Sequence, residues 1–526
     1  MKKLYLSIIL TSFTLILLGQ SNSDSIPWHL LSPVKDNVEG ISLPQAYEYL
    51  QNKNREATPV IVAIIDSGID TTHEDLKANI WHNPREIPYN DIDDDGNGYV
   101  DDIYGWNFIG GADGKNIDGE TAESVRIYRE NKEKFEGKKK SEIPKNKRKK
   151  YKEWAKAKSE VLLKIKRYQR SEANLKEWLE AINKSEKILN IEAKNDSISL
   201  EKIKRYNAKT SEEILAKDLL LHSYKIDYTK EVIKEGLKYY KGELAKSYNL
   251  SYNPRPEIVK DNPDNINDTI YGNNDVMAVG NSHGTGVSGI IGAVRNNGIG
   301  TQGIVDSVKL MMIRVVPGAD ERDKDVALAI RYAVNNGAKI INCSFGKYYG
   351  KHPEFVNDAI DYAIANDVLI IHAAGNNSYN NDKTERYPNP REDQRTNWID
   401  VGASSKTNGL KLAAGFSNYG AKTVDIFAPG VSIYSTKPHS KYGASSGTSD
   451  ASPVVAGVAA LLKSYYPNLN SKQIREIILK SAIKHTKTKV IKPGSKNKKI
   501  RFNKLSTTGG IVNAFQAIKL AEKYTN

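Results

Sequence analysis

The sequence predicts an α/β fold of three layers, in which helices cover both faces of a mostly parallel central sheet. Two observations carry this prediction. A continuous apolar run at 60–65, rich in β-branched residues, is typical of a strand that is buried on both faces. Strand-like and helix-like stretches then alternate between 308 and 374, as in successive βαβ units, which build parallel sheets.

The N-terminus and the overall composition indicate an exported globular protein. Residues 1–21 combine two lysines, a short apolar run and a polar end, which is the pattern of a secretory signal peptide. With 39% hydrophobic and 27% charged residues, the 526-residue chain has room for two or three domains. We expect a periplasmic or secreted monomer with no transmembrane anchor after signal removal. Residues 22–58 form a polar N-terminal extension with one helix near 43–50.

The single cysteine, Cys343, excludes a disulfide within the chain. It lies in the apolar stretch 339–344, which favours a small buried residue over a reactive thiol. An exported chain without disulfides often relies on a large core or on bound metal for its stability. The acidic loops of the sequence are therefore of interest.

An acidic loop at 91–102 is the main candidate for a metal site. Its crowded carboxylates repel one another unless a cation is present, and hard oxygen ligands at alternating positions suit calcium. Two frames fit the loop, one with Gly96 at the sixth place and the other with Gly98 there. The candidate ligands of the two frames are Asp91, Asp93, Asp95, Asn97 and Asp102. A solvated acidic turn is the alternative.

The character of the chain changes between 111 and 270. The net charge of +14 is concentrated there, because residues 121–170 contain 19 Lys and Arg against 7 Asp and Glu. Several apolar side chains fall on one helical face, namely Leu175, Trp178, Leu179, Ile182 and Leu189. We therefore predict a long, charged helical insertion. A solvated lysine-rich face is favoured over a surface for anionic polymers or lipid head groups, and no base-reading motif supports nucleic acid.

Three polar residues stand where a buried strand ends or a helix begins. Asp66 follows the run at 60–65, where open α/β sheets place ligand sites, although a turn residue is a fair alternative. His283 opens a Gly-rich helix, which would present its imidazole at a helix end. Ser449 begins the helix predicted within 445–462, with its hydroxyl near backbone N–H groups that no helical carbonyl uses. A simple helix cap is the alternative for Ser449.

In chain order, these residues resemble the subtilisin-like serine proteases (subtilases, peptidase family S8). Asp66 lies in Asp-Ser-Gly, His283 in His-Gly-Thr-Gly and Ser449 in Gly-Thr-Ser. Shorter matches follow the same order, at 342–346, 374–376, 416–420 and 424–430. The resemblance covers 59–110 and 271–526, which we predict to be one discontinuous catalytic domain. It implies an endopeptidase that hydrolyses peptide bonds of proteins or peptides through an acyl-enzyme.

The resemblance also implies a role for each matching residue. Ser449 is the nucleophile, His283 is its general base, and Asp66 holds the imidazole in the required tautomer. Asn376 matches the side-chain donor of the oxyanion hole, with the backbone N–H of Ser449 as its partner.

Two further sets of residues take their roles from the same resemblance. Ser344, Phe345 and Gly346 match the segment that pairs with the substrate backbone as an added strand. Asp75 and Asn297 match two side-chain ligands of a second calcium site.

The sequence departs from the family at the residue after the nucleophile, where Asp450 replaces the usual methionine. A carboxylate beside a developing oxyanion opposes it unless the carboxylate is paired or turned away, and it raises the pKa of a nearby histidine. The 111–270 insertion is also absent from simple members. An alternative function is therefore a catalytically silent subtilase fold that binds partners through the basic insertion.

Overall fold

The computed structural model describes residues 26–191, 199–226 and 228–525, so the predicted signal peptide at 1–21 lies outside the described residues. The chain divides into two compact units, one of 1–118 with 255–526 and the other of 119–254. None of the described helices is both long and apolar enough to cross a membrane.

A nine-stranded sheet, counted over the described residues, forms the centre of the larger unit. Its strands are β1 (Val60–Asp66), β2 (Gly105–Asn107), β3 (Val308–Arg314), β4 (Ile340–Cys343), β5 (Leu369–Ala373), β6 (Trp398–Ser404), β7 (Ile426–Pro429), β10 (Ile483–Lys484) and β13 (Gly510–Ile511). The strand order is β10-β13-β7-β6-β5-β4-β1-β3-β2, and every pair is parallel except β10 with β13. The predicted α/β fold with a mostly parallel sheet is therefore confirmed.

Helices and two hairpins complete this unit. The hairpins pair β8 (Ile433–Lys437) with β9 (Lys441–Ser445), and β11 (Lys489–Ile491) with β12 (Lys499–Arg501). The helices are α1 (Leu43–Asn52), α7 (Arg255–Ile258), α8 (Ser282–Gly292), α9 (Asp323–Asn335), α10 (Pro353–Ala365), α11 (Thr448–Tyr465), α12 (Ser471–Ser481) and α13 (Ala514–Thr525).

Both faces of β1 are buried, as its continuous apolar sequence predicts. Val62 and Ile64 lie in one hydrophobic cluster, which includes residues of α8 and α11. Ala63 and Ile65 lie in a second cluster on the opposite face, with residues of α9 and α10. Successive side chains of a strand point to opposite faces, so one apolar run supplies both cores. Cys343 is buried in the second cluster, and burial raises the pKa of its thiol.

The smaller unit consists of helices and has its own apolar core. Its helices are α2 (Glu123–Phe135), α3 (Arg148–Ile188), α4 (Leu200–Arg205), α5 (Ser211–Lys225) and α6 (Lys230–Ala245). Ile182 and Leu189 are buried in that core with Ile203, Leu220 and Ile233. The apolar helical face predicted from the spacing of these residues therefore packs into the core of the smaller unit.

The smaller unit is shorter than the insertion predicted at 111–270. Arg255 forms ion pairs with Asp261 and Asp325 at 2.6 and 2.7 Å, and the Tyr271 hydroxyl donates to Asp325 at 2.6 Å. Because these groups are buried together, they fix residues 255–271, where the chain re-enters the larger unit, to the rest of that unit. At the other boundary, Ile117 packs into the second cluster of the larger unit.

Candidate active site

Asp66 and His283 meet at the carboxyl end of β1. Asp66 is the last residue of β1 and is fully buried, whereas His283 lies in the first turn of α8. His283 Nδ1 lies 2.8 Å from Asp66 Oδ1, which also accepts a hydrogen bond from the Ser67 N–H at 2.7 Å. The helix start can approach the strand end because Gly284 has no side chain. A Cβ on Gly284 would stand 2.1 Å from the Gly68 carbonyl oxygen.

Ser449 begins α11 next to the amide of Asn376. Gly447 leaves the space in which the polar groups converge, since a Cβ there would lie 2.7 Å from Ser449 Oγ and 3.4 Å from Asn376 Nδ2. Asn376 Oδ1 accepts hydrogen bonds from the backbone N–H and the hydroxyl of Thr448, at 2.8 and 3.0 Å. The amide is thereby oriented with its oxygen occupied by Thr448, and its NH₂ group lies on the side of Ser449.

Ser344 holds the backbone of Ser449 through a hydrogen bond. Ser344 Oγ donates to the Ser449 carbonyl at 3.0 Å and accepts from Asn342 Nδ2 at 2.9 Å. Ser452, one turn into α11, donates to Asn342 Oδ1 at 2.7 Å. Asn342 and Ser452 were not predicted as site residues. The signals for Asn342 were its place in the matching stretch 342–346 and a polar amide inside the apolar stretch of β4, which requires buried partners.

Within the described ranges, no hydrogen bond joins the His283 ring to Ser449 Oγ, so two of the three predicted catalytic residues are in direct contact. Such bonds are often long before a substrate is bound and tighten in the reacting complex. The predicted substrate segment, Ser344 with Phe345 and Gly346, lines the cavity that contains Ser449 and also the cavity that contains His283. It therefore lies between the two side chains that are predicted to be catalytic, His283 and Ser449.

Asp450 is turned into the protein beside the site. Only 8% of the residue is exposed, and its Oδ1 accepts a hydrogen bond from Ser445 Oγ at 2.5 Å. Burial raises the pKa of Asp450, while that hydrogen bond and the charges of His283 and Lys437 oppose the shift. The Asp450 carboxylate therefore has a hydrogen-bond partner in Ser445. This is one of the two conditions under which a carboxylate next to Ser449 does not oppose an oxyanion.

The charges around His283 favour its protonated form. Desolvation by itself lowers the pKa of the ring, but the charge and hydrogen bond of Asp66 and the charge of Asp450 raise it, with Lys437 opposing. The net shift is upward from the ordinary histidine value. Because 47% of the His283 side chain is solvent-exposed, desolvation lowers its pKa only in part, and the two carboxylates decide the direction of the shift.

The acidic loop brings together a different set of carboxylates from the one predicted. Asp95 and Asp102 form a group with Glu86, whose oxygens approach within 4.8 Å of one another. Asp91 and Asp93 lie outside this group, and Asp93 instead accepts hydrogen bonds from the backbone of Asn97 and Gly98. Glu86 reaches the loop because the Asn83 N–H donates to the Ile103 carbonyl at 2.8 Å, which holds the segment before the loop against the end of the loop. Sequence spacing within 91–102 therefore could not reveal Glu86.

This carboxylate group has the character of a cation site. Glu86 Oε2 is buried and has no hydrogen-bond partner among the described residues. Burial raises the pKa of Asp102 to about 6, against the hydrogen bonds that it accepts from Tyr332, Asn83 and Asn97. Arg85 lies 3.0 Å from Asp95 and offsets part of the negative charge. Oxygen ligands with an unused acceptor suit a hard cation such as calcium.

The two side chains predicted for a second calcium site are in contact. Asp75 is fully buried, and its Oδ1 accepts a hydrogen bond from Asn297 Nδ2 at 2.7 Å. Asp75 Oδ2 accepts from the Thr301 N–H at 3.1 Å. Burial raises the pKa of Asp75 despite these bonds.

An aspartate at a strand end paired with a histidine, together with a serine at a helix start, is the set of groups that serine-type endopeptidases use. The sequence profile of the subtilase family matches residues 57–509. The chain belongs to the subtilase family.

Individual relatives show the same likeness. Subtilisin DY from Bacillus licheniformis is 37% identical over 205 residues, which is 39% of this chain and 71% of that protein. Alkaline elastase YaB from Bacillus sp. (strain YaB) is 38% identical over 205 residues, which is 39% of this chain and 50% of that protein. Among solved structures, a protease of Pseudoalteromonas arctica PAMC 21717 aligns with 94% of this chain and 100% of its own, at 19% identity and a TM-score of 0.47.

Proposed function

We propose that this protein is an exported serine endopeptidase that cleaves peptide bonds through an acyl-enzyme on Ser449. The observation that carries the proposal is the 2.8 Å contact between Asp66 and His283, because it orients a histidine at the edge where α11 presents Ser449. The signal-like residues 1–21 support export to the periplasm or the medium. The substrates are proteins or peptides.

The first half of the reaction forms the acyl-enzyme. Ser449 Oγ attacks the scissile carbonyl carbon while His283 Nε2 accepts the hydroxyl proton. Asp66 holds the opposite ring nitrogen and stabilises the imidazolium that results. The oxyanion is stabilised by Asn376 Nδ2 and the Ser449 backbone N–H, and a donor of this kind contributes roughly 10²–10³-fold to turnover. His283 then protonates the departing amine.

The second half releases the acyl group. A water molecule gives its proton to His283 and attacks the ester carbonyl, and collapse of the second tetrahedral intermediate returns the proton to Ser449 Oγ. The brace from Ser344 to the Ser449 carbonyl keeps the start of α11 fixed through both halves.

Covalent labelling tests this proposal. A fluorophosphonate probe should form one adduct on the purified protein, and peptide mapping should assign that adduct to Ser449. Prior treatment with a peptide-aldehyde inhibitor should prevent labelling. A folded protein that gives no adduct would favour the alternative of a silent binding module.

Replacing Asp450 with asparagine should move the acidic limb of the kcat/KM profile to lower pH. The reaction needs neutral His283, and the charge of Asp450 raises the pKa of that ring. Without this charge, the ring loses its proton at a lower pH and activity persists further into the acidic range. The profiles of wild type and Asp450→Asn are compared, with the exposed surface variant Asp393→Asn as control. A limb that stays in place or moves to higher pH contradicts the expectation.

We further propose that calcium stabilises the fold at the Glu86, Asp95 and Asp102 group, with Asp75 and Asn297 holding a second ion. The unused acceptor of Glu86 supports the first site, and the contact of Asp75 with Asn297 supports the second. When bound, the cation would neutralise carboxylates that burial has crowded together.

Removal of calcium is therefore expected to lower the melting temperature. A ligand at 100 times its Kd stabilises the native state by about 2.7 kcal/mol, so EDTA should remove an effect of this order for each site. Calorimetry with EDTA and with added calcium measures it. The Glu86→Gln variant should respond less than wild type, whereas Asp91→Asn, outside the group, should respond fully. An identical melting temperature with and without EDTA would count against both sites.

A further inference from the structure

A cavity of about 190 Å³ adjoins the nucleophile. Its walls are 344–348 from the end of β4 and 373–377 from the end of β5, and Ser449 and Asn376 lie at its mouth. The substrate carbonyl under attack must lie between Ser449 and Asn376. The side chain of that same substrate residue, P1, therefore enters this cavity. This placement rests on the proposed function.

The charged residues that line the cavity are both cations, Lys347 and Arg386. Lys347 Nζ lies 2.8 Å from Asp323 Oδ1, so its charge is matched by a carboxylate of its own. Arg386 is 8% exposed and lies in the segment before Tyr387. Arg386 is the charge that the cavity presents to an incoming side chain.

The hydrogen bonds of Arg386 leave donors available for a ligand. Nη1 donates to the Ala373 carbonyl at 3.1 Å and lies 2.7 Å from His372 Nδ1, while Nη2 donates to Asp400. These contacts use at most three of the five N–H groups of a guanidinium. Among the described residues, the Nε–H and one Nη2–H have no acceptor, and they remain for a group in the cavity.

The buried charges behind the cavity do not cancel. Asp400 is shared between Arg386 and Arg395, the latter at 3.4 Å. Asp425 lies 2.8 Å from Arg475 and accepts the backbone N–H of Asp400. Three arginines thus face two buried aspartates, while the third carboxylate, Glu392 at 3.9 Å from Arg395, is 98% exposed and offsets little of the excess positive charge. Water screens the charges next to the cavity weakly because Arg386, Asp400 and Asp425 are buried.

We propose that this cavity selects substrates with an acidic side chain, glutamate or aspartate, at P1. A carboxylate there accepts charge-assisted hydrogen bonds from the available donors of Arg386 and balances the excess positive charge. A lysine or arginine side chain at P1 would be repelled by the same positive charge. The protein is thereby an endopeptidase that cleaves after acidic residues.

Two peptides that differ only at P1, glutamate in one and glutamine in the other, test the proposal on the wild-type enzyme. The side chains are nearly equal in size, so the ratio of their kcat/KM values isolates the charge. We expect glutamate to be preferred by about tenfold or more at pH 7 and low salt. A lysine peptide should be the poorest substrate. Equal rates for glutamate and glutamine, or a preference for glutamine, would overturn the proposal.

Variants assign the preference to Arg386. In Arg386→Gln the glutamate-to-glutamine ratio should fall close to one. The double variant Arg386→Gln/Asp400→Asn repeats the test without a buried carboxylate that has lost its nearer arginine. Arg391→Gln, a surface arginine paired with Asp361, should keep the wild-type ratio. A ratio unchanged in both Arg386 variants would overturn the assignment.

Fluorophosphonate titration counts active sites in every sample. Failure of the proposed function appears as the absence of labelling and of cleavage on all peptides. Failure of the P1 proposal appears instead as labelled, active enzyme that prefers neutral or basic P1 residues.

Discussion

Replacing Ser449 with alanine should lower kcat/KM by roughly 10⁴–10⁶-fold, the range found when a catalytic nucleophile is removed from an Asp-His-Ser system. The substitution removes only a hydroxyl that makes no hydrogen bond within the part of the chain that the structure describes. The fold should therefore be unaffected, and the melting temperature should stay close to that of wild type. Initial rates on a fluorogenic peptide, compared at equal protein concentration, measure the loss.

A matched serine substitution controls this experiment. Ser405→Ala removes a hydroxyl that donates to the Lys411 carbonyl on the surface, far from α11 in sequence, and should retain full activity. Substantial activity in a pure preparation of Ser449→Ala would show that another group is the nucleophile or that the preparation contains a second peptidase.

Replacing Asp66 with asparagine should lower kcat by about 10⁴-fold. Asp66 Oδ1 holds His283 Nδ1 at 2.8 Å, and a carboxylate there requires the tautomer that carries its proton on Nδ1. An asparagine can donate instead of accept, so it stabilises the tautomer whose Nε2 carries the proton and cannot receive one from Ser449. Stopped assays at saturating substrate measure kcat.

The control for Asp66→Asn is Asp393→Asn, since Asp393 is on the surface and 73% of its side chain is exposed. It should have wild-type kcat. Circular dichroism should show that both variants are folded. A loss of less than tenfold in Asp66→Asn would exclude Asp66 as the group that orients the histidine.

The sequence predicted the central architecture because the relevant signals are local. The run at 60–65 is apolar at every position and rich in β-branched residues, which is typical of a strand buried on both faces. The helices α9 and α10 were predicted from the alternation of strand-like and helix-like stretches between 308 and 374. Asp66, His283 and Ser449 were predicted because each stands at a strand end or a helix start within a short motif.

The details of the site depend on contacts between distant parts of the chain. Asn342 and Ser452 are 110 residues apart, yet they share the hydrogen bond that steadies the segment beneath Ser449. Glu86 joins Asp95 and Asp102 because the backbone bond from Asn83 to Ile103 holds the segment before the acidic loop against its end. The composition of the chain and the spacing of its motifs cannot predict such contacts between residues that are distant in sequence.

The sequence by itself determined the fold class, the chain order of the three polar residues, the buried state of Cys343 and the helical character of α3. Tertiary structure alone decided that Asp450 turns inward to Ser445 and that Arg386 faces the cavity beside Ser449. The physical reason is that strand and helix patterns depend on neighbouring residues. The direction of a single charged side chain depends on the partners that folding brings to it, here Ser445 for one and Asp400 for the other.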